Sequence, residues 1–301
     1  AILYRTNAQS RTFEEAFKRF NIPYKVYGGL SFYQRKEIKD LMAYLRLCMN
    51  PHDEEALMRI INYPARGIGK TSQERIRAFA DSNENSIWKT IENIEKHPIN
   101  ITQSAVNKIK KFVDMIHEFQ DMAANMDAYE IAMTIASRTG ILEEFENPGT
   151  IEEQNKYQNL QEMLNGIKEF TERYEGEGTP TLPEYIENIS LMTDADLEDE
   201  EDLNKVSIMT MHSAKGLEFK EVYLAGIEDG LFPSQMSMTT EKDLEEERRL
   251  FYVALTRAER KATISYALNR YKWGVSQPSR PSRFINDIDT EFVVFPEYSS
   301  D

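Results

Sequence analysis

Three stretches of different hydrophobic periodicity follow one another along the chain. In the first, apolar residues come in short runs. Ile2 to Arg5 reads as a buried strand, and Tyr24 to Tyr27 reads as a second. Between them Phe13, Ala16, Phe17 and Phe20 recur at helical spacing, with Ser10 placed to cap the helix and Asn21-Ile22-Pro23 to end it. Gly28-Gly29 predicts a turn. From about Phe32 to Asp194 only helical spacing is found. Ile38, Leu41, Met42, Leu45 and Leu47 predict one amphipathic helix, stopped by Asn50-Pro51. Further helices are predicted over 55–62, 72–81, 106–123, 128–138, 152–174 and 183–192, with glycines and one Asn-Pro-Gly between the later ones. Strands are then predicted over 206–211, 221–225 and 262–267. A helix over 244–257 carries the stripe Leu250, Phe251, Ala254, Leu255 and Ala258, and a last helix is predicted over 282–288. The pattern is an α/β domain interrupted by an all-helical insertion.

Composition narrows this picture. A length of 301 residues suits about two domains. No apolar run approaches the roughly 20 residues of a bilayer span. With Cys48 as the one cysteine, a disulfide framework is excluded, and a reducing cytoplasm is the expected location. The net charge of −15 argues against a non-specific coat on nucleic acid but leaves room for a local basic groove. Seven acidic residues between Asp194 and Asp202 read as a solvated linker. Ala1-Ile2-Leu3-Tyr4 enters a strand at once, which predicts that the chain is a piece of a larger protein.

Several short stretches carry candidate chemistry. Lys215-Gly216-Leu217-Glu218 follows a strand, where loops of doubly wound sheets hold ligands. Gly216 permits a tight turn or a close approach to phosphate, and the Glu218 carboxylate can accept ribose hydroxyls; an ordinary βα loop fits equally. Thr210, His212 and Lys215 are donors suited to phosphodiester oxygens, although His212 could be a plain surface residue. Arg257 ends a helix, where a guanidinium can neutralise charge developing on a transferring phosphoryl group or simply complement the helix terminus. Arg248 and Arg249 are expected to pair with Glu245 and Glu246. Arg5-Thr6-Asn7, on a similar strand-end loop, adds donors for a single strand's phosphates, or supplies a helix cap.

Gly69-Lys70-Thr71 imitates the end of a phosphate-binding loop, but the required glycine five residues earlier is Pro64 and no strand precedes it. Arg66-Gly67-Ile68-Gly69-Lys70-Thr71 is better read as a turn between two helices. Its backbone N–H groups, with Arg66 and Lys70, could hold a DNA backbone without reading sequence; a structural turn is the alternative. Trp88 is expected in a core and Trp273 in a turn against the sheet. No spacing suggests a metal-ligand set.

Taken together these stretches resemble the C-terminal half of superfamily 1 DNA helicases of the UvrD/PcrA/Rep type. Four signatures occur in the family's order: Leu3 to Arg11, Gly28 to Asp40, Val206 to Gly226, and Glu245 to Ala258. Ala254-Leu255 stands where relatives commonly have Gly-Ile or Gly-Val. The resemblance implies a RecA-like parallel sheet domain of the P-loop NTPase type, without its phosphate loop, formed by residues 1–32 and 196–291. A helical inserted subdomain over 33–195 and a tail over 292–301 complete the chain. It also implies roles. Glu218 and Gly216 would bind nucleotide, and Arg257 would be the catalytic contact to the γ-phosphate. Arg5, Asn7, Thr210, His212 and Lys215 would follow single-stranded DNA, and Arg66, Gly67, Gly69, Lys70 and Thr71 would touch duplex DNA at a fork.

The expected parent is an ATP-dependent, 3′-to-5′ DNA helicase of DNA repair or replication, using ATP and Mg²⁺. Its partners would be single-stranded and forked DNA, ATP and an N-terminal RecA-like domain, with no membrane. The chain alone is expected to hold no cofactor tightly and to be inactive, lacking a phosphate loop. A non-catalytic DNA-junction or protein-interaction module is the alternative.

Overall fold

The computed structural model describes residues 1–176, 178–193, 204–272 and 275–295. In chain order its elements begin with β1 (Ile2–Tyr4), α1 (Ser10–Arg19) and β2 (Tyr24–Tyr27). A run of helices follows: α2 (Lys36–Met49), α3 (Glu54–Ile60), α4 (Lys70–Ser82), α5 (Ile87–Glu92), α6 (Gln103–Ala123), α7 (Ala128–Arg138), α8 (Glu143–Glu146), α9 (Ile151–Glu172) and α10 (Leu182–Thr193). Then come β3 (Val206–Thr210), β4 (Phe219–Ala225), α11 (Glu241–Leu255), β5 (Ala258–Ser265), β6 (Asn269–Lys272) and β7 (Val275–Pro278). The chain divides into two compact units, Ala1–Ser31 with Glu200–Asp301, and Phe32–Asp199.

The first unit is built on a five-stranded parallel sheet of order β2-β3-β1-β4-β5. Register sets the height of everything attached to it. Tyr4 pairs with Thr210, Leu3 with Leu224 and Phe219 with Ala258. Tyr4, Thr210 and Ala225 therefore share the carboxyl edge, while Phe219 and Ala258 mark the amino edge. Six residues of β4 separate the two levels, about 20 Å at the usual strand rise. The core joins Leu3, Met209, Val222 and Leu224 of the sheet to Phe251 and Ala254 of α11, with Phe232 and Phe284. The rings of Phe232, Phe251 and Phe284 lie 5.7–6.0 Å apart, in the range of favourable aromatic pairs. This is the apolar stripe expected of α11: Phe251 and Ala254 are buried, and Leu250, Leu255 and Ala258 pack around them.

The second unit has no strand among its described residues. Several of its helices begin where short polar side chains satisfy the first free N–H groups. Asp53, Thr102, Asp127, Thr150 and Ser86 cap α3, α6, α7, α9 and α5 in this way, two of them with a reciprocal glutamate. Ile38, Leu41, Leu45 and Leu47 of α2 are fully buried, as is Trp88 to within 3%. Buried charge is paired: Asp40 takes Lys36 at 2.8 Å and Arg59 at 2.6 Å, and Asn159 links Arg35 to Glu37.

Local boundaries differ from the sequence pattern for identifiable reasons. The N-terminal turn starts at Thr6, because the Gln9 side-chain oxygen takes the N–H groups of Arg5 and Thr6, both at 2.9 Å; Ser10 is buried inside the helix and does not cap it. β5 starts at Ala258, four residues before the expected strand, since Phe219 pairs there. Residues 283–287 form a tighter 3₁₀ turn instead of a last α-helix. The antiparallel pair β6–β7 lies where the pattern predicted no strand. The acidic run from Asp194 to Asp202 and the turn at Trp273 lie outside the described residues. No helix of the described residues is long and apolar enough to cross a membrane.

Candidate nucleotide and nucleic-acid interface

At the carboxyl edge the ends of β1, β2 and β3 meet. Thr210 closes a helical turn: its hydroxyl lies 2.8 Å from that of Ser213 and accepts the Ser213 N–H, while its carbonyl accepts from Ala214. Met211 and Ala214 are buried in the core. The intervening His212 and the following Lys215 therefore face solvent. Gly28 sits against this turn at φ +76°, and a Cβ there would stand 2.4 Å from the Ser213 hydroxyl. A Cβ on Gly29 would be 4.0 Å from the side-chain oxygen of Asn7. Asn7, the glycine pair and the Thr210–Ser213 turn thus form one polar concentration at the strand ends.

Arg5 belongs to the same edge, but its guanidinium is not free. Nε lies 3.0 Å from both carboxylate oxygens of Glu247, and Nη2 donates to Oε1 at 2.6 Å. Glu247 lies on α11 and is 7% accessible, Arg5 23%. Arginine has five N–H donors. Two are spent on Glu247 and three remain. His212 feels this pair. Partial enclosure strips water from its ring and Arg5 repels a second cation, so its pKa falls below the ordinary imidazole value, with Glu247 and Glu246 opposing the shift.

The loop after His212 does not stay at the carboxyl edge. It descends across the sheet to the start of β4, so Gly216, Leu217 and Glu218 lie at the amino edge, away from the strand-end position expected of them. Arg257 meets them there. Its Nη1 donates to the Leu217 carbonyl at 2.9 Å, its Nε to the Val253 carbonyl at 3.0 Å, and its Nη2 to the Thr256 hydroxyl at 3.2 Å. The Phe219 N–H in turn donates to the Arg257 carbonyl at 2.9 Å. Glu218 lies between the two residues bound to Arg257, exposed and without a hydrogen bond or ion pair to a described residue. Gly216 has φ +86°, with open space where a Cβ would stand. Two N–H groups of Arg257, a free carboxylate and an open glycine turn converge at one edge. This set fits one side of a nucleotide, with a cation for phosphate and an acceptor for ribose. Among the described residues no group of three His, Cys, Asp or Glu is placed to hold a metal ion.

Arg248 and Arg249 behave as expected. Arg249 pairs with Glu246 at 3.1 Å, and Arg248 binds Glu245 and also Asp287, the latter at 2.9 Å.

The helical unit carries a separate polar feature between α3 and α4. The Asn62 side-chain oxygen takes the N–H groups of Arg66 and Ile68, at 3.1 and 2.8 Å, and Ile68 is fully buried. Gly67 turns at φ +75°. Gly69 caps α4, leaving the N–H groups of Lys70 and Thr71 at an exposed helix start. Lys70 is 90% accessible and only loosely paired with Glu74 at 3.9 Å. Arg66, expected to face DNA, turns inward instead. Its Nη1 donates to the carbonyls of Ile60, Tyr63 and Pro64, and its guanidinium lies over the rings of Tyr44 and Phe112. Lys108 of α6, donating weakly to the Gly67 carbonyl at 3.4 Å, takes its place beside the turn. A groove of about 450 Å³ elsewhere in this unit, lined by Met42, Arg46, Arg59 and Ile189 among others, touches none of these residues.

The order and spacing of these features decide the family. A model of the UvrD-like helicase C-terminal domain matches residues 1–269. The chain belongs to the UvrD-like helicase C-terminal domain family. It is 39% identical over 296 residues to a Leuconostoc citreum protein named ATP-dependent DNA helicase PcrA, covering 97% of this chain and 39% of that protein. Proteins of the same name from Staphylococcus epidermidis and Staphylococcus aureus are also 39% identical, over 295 and 290 residues, covering 97% and 96% of this chain and 40% and 39% of their own lengths. The chain spans about two fifths of the length of these relatives. The five-stranded parallel sheet with its many helices is the RecA-like architecture that the UvrD-like family implies.

Three residues that organise these sites carry weak sequence signals. Glu247 is a carboxylate set into the apolar stripe of α11, four residues before Phe251 and seven before Ala254. That misfit is the readable clue. Asn62 acts on the turn at Gly67 from within the same α3–α4 connection and Lys108 from α6, and nothing in their own neighbourhood marks them.

Proposed function

We propose that the chain is the C-terminal part of an ATP-dependent DNA helicase that moves 3′ to 5′ on single-stranded DNA and unwinds duplex DNA. Residues 1–32 and 196–291 would be its second RecA-like domain, and 33–195 a helical subdomain inserted in it. One observation carries the reading: the segment from Thr210 to Glu218 joins a polar strand-end cluster to a carboxylate and an arginine about 20 Å away on the same sheet.

Arg257 offers two N–H groups to a γ-phosphate, where a guanidinium stabilises charge spread over the transferring phosphoryl oxygens. Glu218 accepts the ribose hydroxyls, and Gly216 lets the backbone approach. At the other edge Asn7, His212 and Arg5 receive the phosphates of a single strand, with Thr210 shaping the turn and Lys215 beside it. In the helical unit, the exposed N–H groups at Lys70 and Thr71 and the Lys70 ammonium hold duplex phosphates, with Gly67 and Gly69 shaping the turn and Arg66 bracing it. ATP supplies the phosphoanhydride whose cleavage drives the cycle. An N-terminal RecA-like domain would complete the nucleotide site, including its Mg²⁺.

The intact protein should hydrolyse ATP faster with single-stranded DNA and open duplexes bearing a 3′ tail. Absence of both activities would contradict the reading, and a preference for 5′ tails would overturn the direction. The 301-residue chain alone should not hydrolyse ATP; DNA-stimulated hydrolysis by it would overturn the division of labour.

A further inference from the structure

Two routes connect the edges of the sheet unit. One is the loop from Thr210 to Glu218, which ends on the Arg257–Leu217 hydrogen bond. The other is α11, which carries Glu247 at the carboxyl edge and is followed by Arg257 at the amino edge. Eight residues separate Glu247 from Leu255, about 12 Å of helix. A packed helix moves as a body, so a displacement at Glu247 reaches Arg257 with little loss. The polar tie from this lever to the strand ends is the two-pronged pair between Arg5 and Glu247, beside the core that Phe251 and Ala254 of the helix share with Met211 and Ala214.

That contact is costly to break. Glu247 is almost wholly enclosed, and a buried carboxylate deprived of its cation is left with its lost hydration uncompensated. A phosphate arriving at the strand ends would not pull Arg5 away. It would use the three N–H groups that Glu247 leaves unengaged, so one guanidinium would hold a phosphate on one side and α11 on the other. His212 lies beside the pair, and its ring is sensitive to both Arg5 and Glu247.

We propose that Glu247 is a positioning residue, which through Arg5 makes the placement of Arg257 depend on a phosphate bound at the strand ends. The proposal rests on the helicase reading above. Glu247 touches neither nucleotide nor DNA in it.

The test uses the intact protein with Glu247→Gln, which keeps size but removes the charge, and ATP hydrolysis measured with and without single-stranded DNA. Hydrolysis without DNA and the KM for ATP should stay at the wild-type level. DNA affinity should stay within about threefold, since Arg5 keeps its charge. The DNA-stimulated kcat should fall about tenfold, within the usual range of coupling between sites. Arg5→Lys, which retains a cation but cannot bind in two prongs, should give the same loss of stimulation. The double variant should lose no more than either single one, because the two residues act as one unit. Full stimulation in Glu247→Gln would overturn the inference, as would a parallel fall in DNA-free hydrolysis, which marks a merely structural role. Additive losses in the double variant would also overturn it. A wild-type protein without any DNA stimulation would instead defeat the helicase reading itself.

Discussion

The candidate sites of the two units treat their arginines in contrasting ways. In the sheet unit, Arg5 and Arg257 are held by partners 242 and 40 residues away in sequence, a carboxylate and a backbone carbonyl. Each keeps N–H groups to spare. In the helical unit Arg66 is consumed by the carbonyls of Ile60, Tyr63, Pro64 and, at 3.5 Å, Thr139, with the rings of Tyr44 and Phe112 beneath it, and the exposed charge beside the turn belongs to lysines. The difference teaches what each surface can do. A guanidinium that is held in place and still has N–H groups to spare suits a site that must sense and transmit. A turn braced from within, with backbone N–H groups and a loose ammonium outside, suits a site that only grips.

The largest effect should come from removing the arginine proposed to meet the γ-phosphate. Arg257→Ala in the intact protein should lower ATP hydrolysis by about 10³-fold, with nucleotide affinity within a few-fold, as kinetics and nucleotide titration would show. Equal loss of both would reduce Arg257 to a binding residue and erase the contrast.

On the gripping side, Asn62→Ala removes the acceptor of two backbone N–H groups and should cost about 1–3 kcal/mol of unfolding free energy. It should weaken forked DNA and leave single-stranded DNA unaffected. Weakening of both alike would show that the turn is not a separate surface.

Gly28→Ala should destabilise the sheet unit by about 1–2 kcal/mol from the left-handed backbone alone, before the clash with Ser213 is counted. An unchanged denaturation midpoint would show that the strand-end cluster is loosely packed. Lys70→Ala should reduce the salt dependence of duplex binding by about one counterion and weaken all sequences alike. A sequence-dependent loss would contradict a grip on the backbone.

The smallest effect is the proton on His212. The folded chain holds this imidazole neutral more firmly than the unfolded chain does. Its contribution to stability is therefore complete above the ordinary value of 6.5 and is lost as pH falls through the lowered folded value. Unfolding curves across that window should flatten in His212→Gln, and an identical pH slope would remove the proposed influence of Arg5 on the ring.

The same contrast explains what was legible in the sequence. The α/β frame and its helical interruption follow from periodicity, because burial of one face imposes the spacing of Ile38, Leu41 and Leu45 or of Phe251 and Ala254. The sites were legible only as residue types. That Thr210 and Glu218 lie at opposite edges is a matter of register, set by pairing with Tyr4 and Ala258. That Arg66 faces inward depends on the rings of Tyr44 and Phe112, which no local pattern reveals. All four residues of β7 are exposed, so that strand has no buried face to impose a readable pattern.

The claim that matters most is that one sheet joins nucleotide sensing to DNA contact. It is tested most directly by measuring single-stranded DNA affinity of the intact protein with and without a non-hydrolysable ATP analogue. The analogue should change the affinity about tenfold in the wild type, the scale of ordinary coupling. In Arg257→Ala the DNA affinity without analogue should be unaltered and the analogue should no longer change it. A full analogue-induced change that persists in Arg257→Ala would contradict the account.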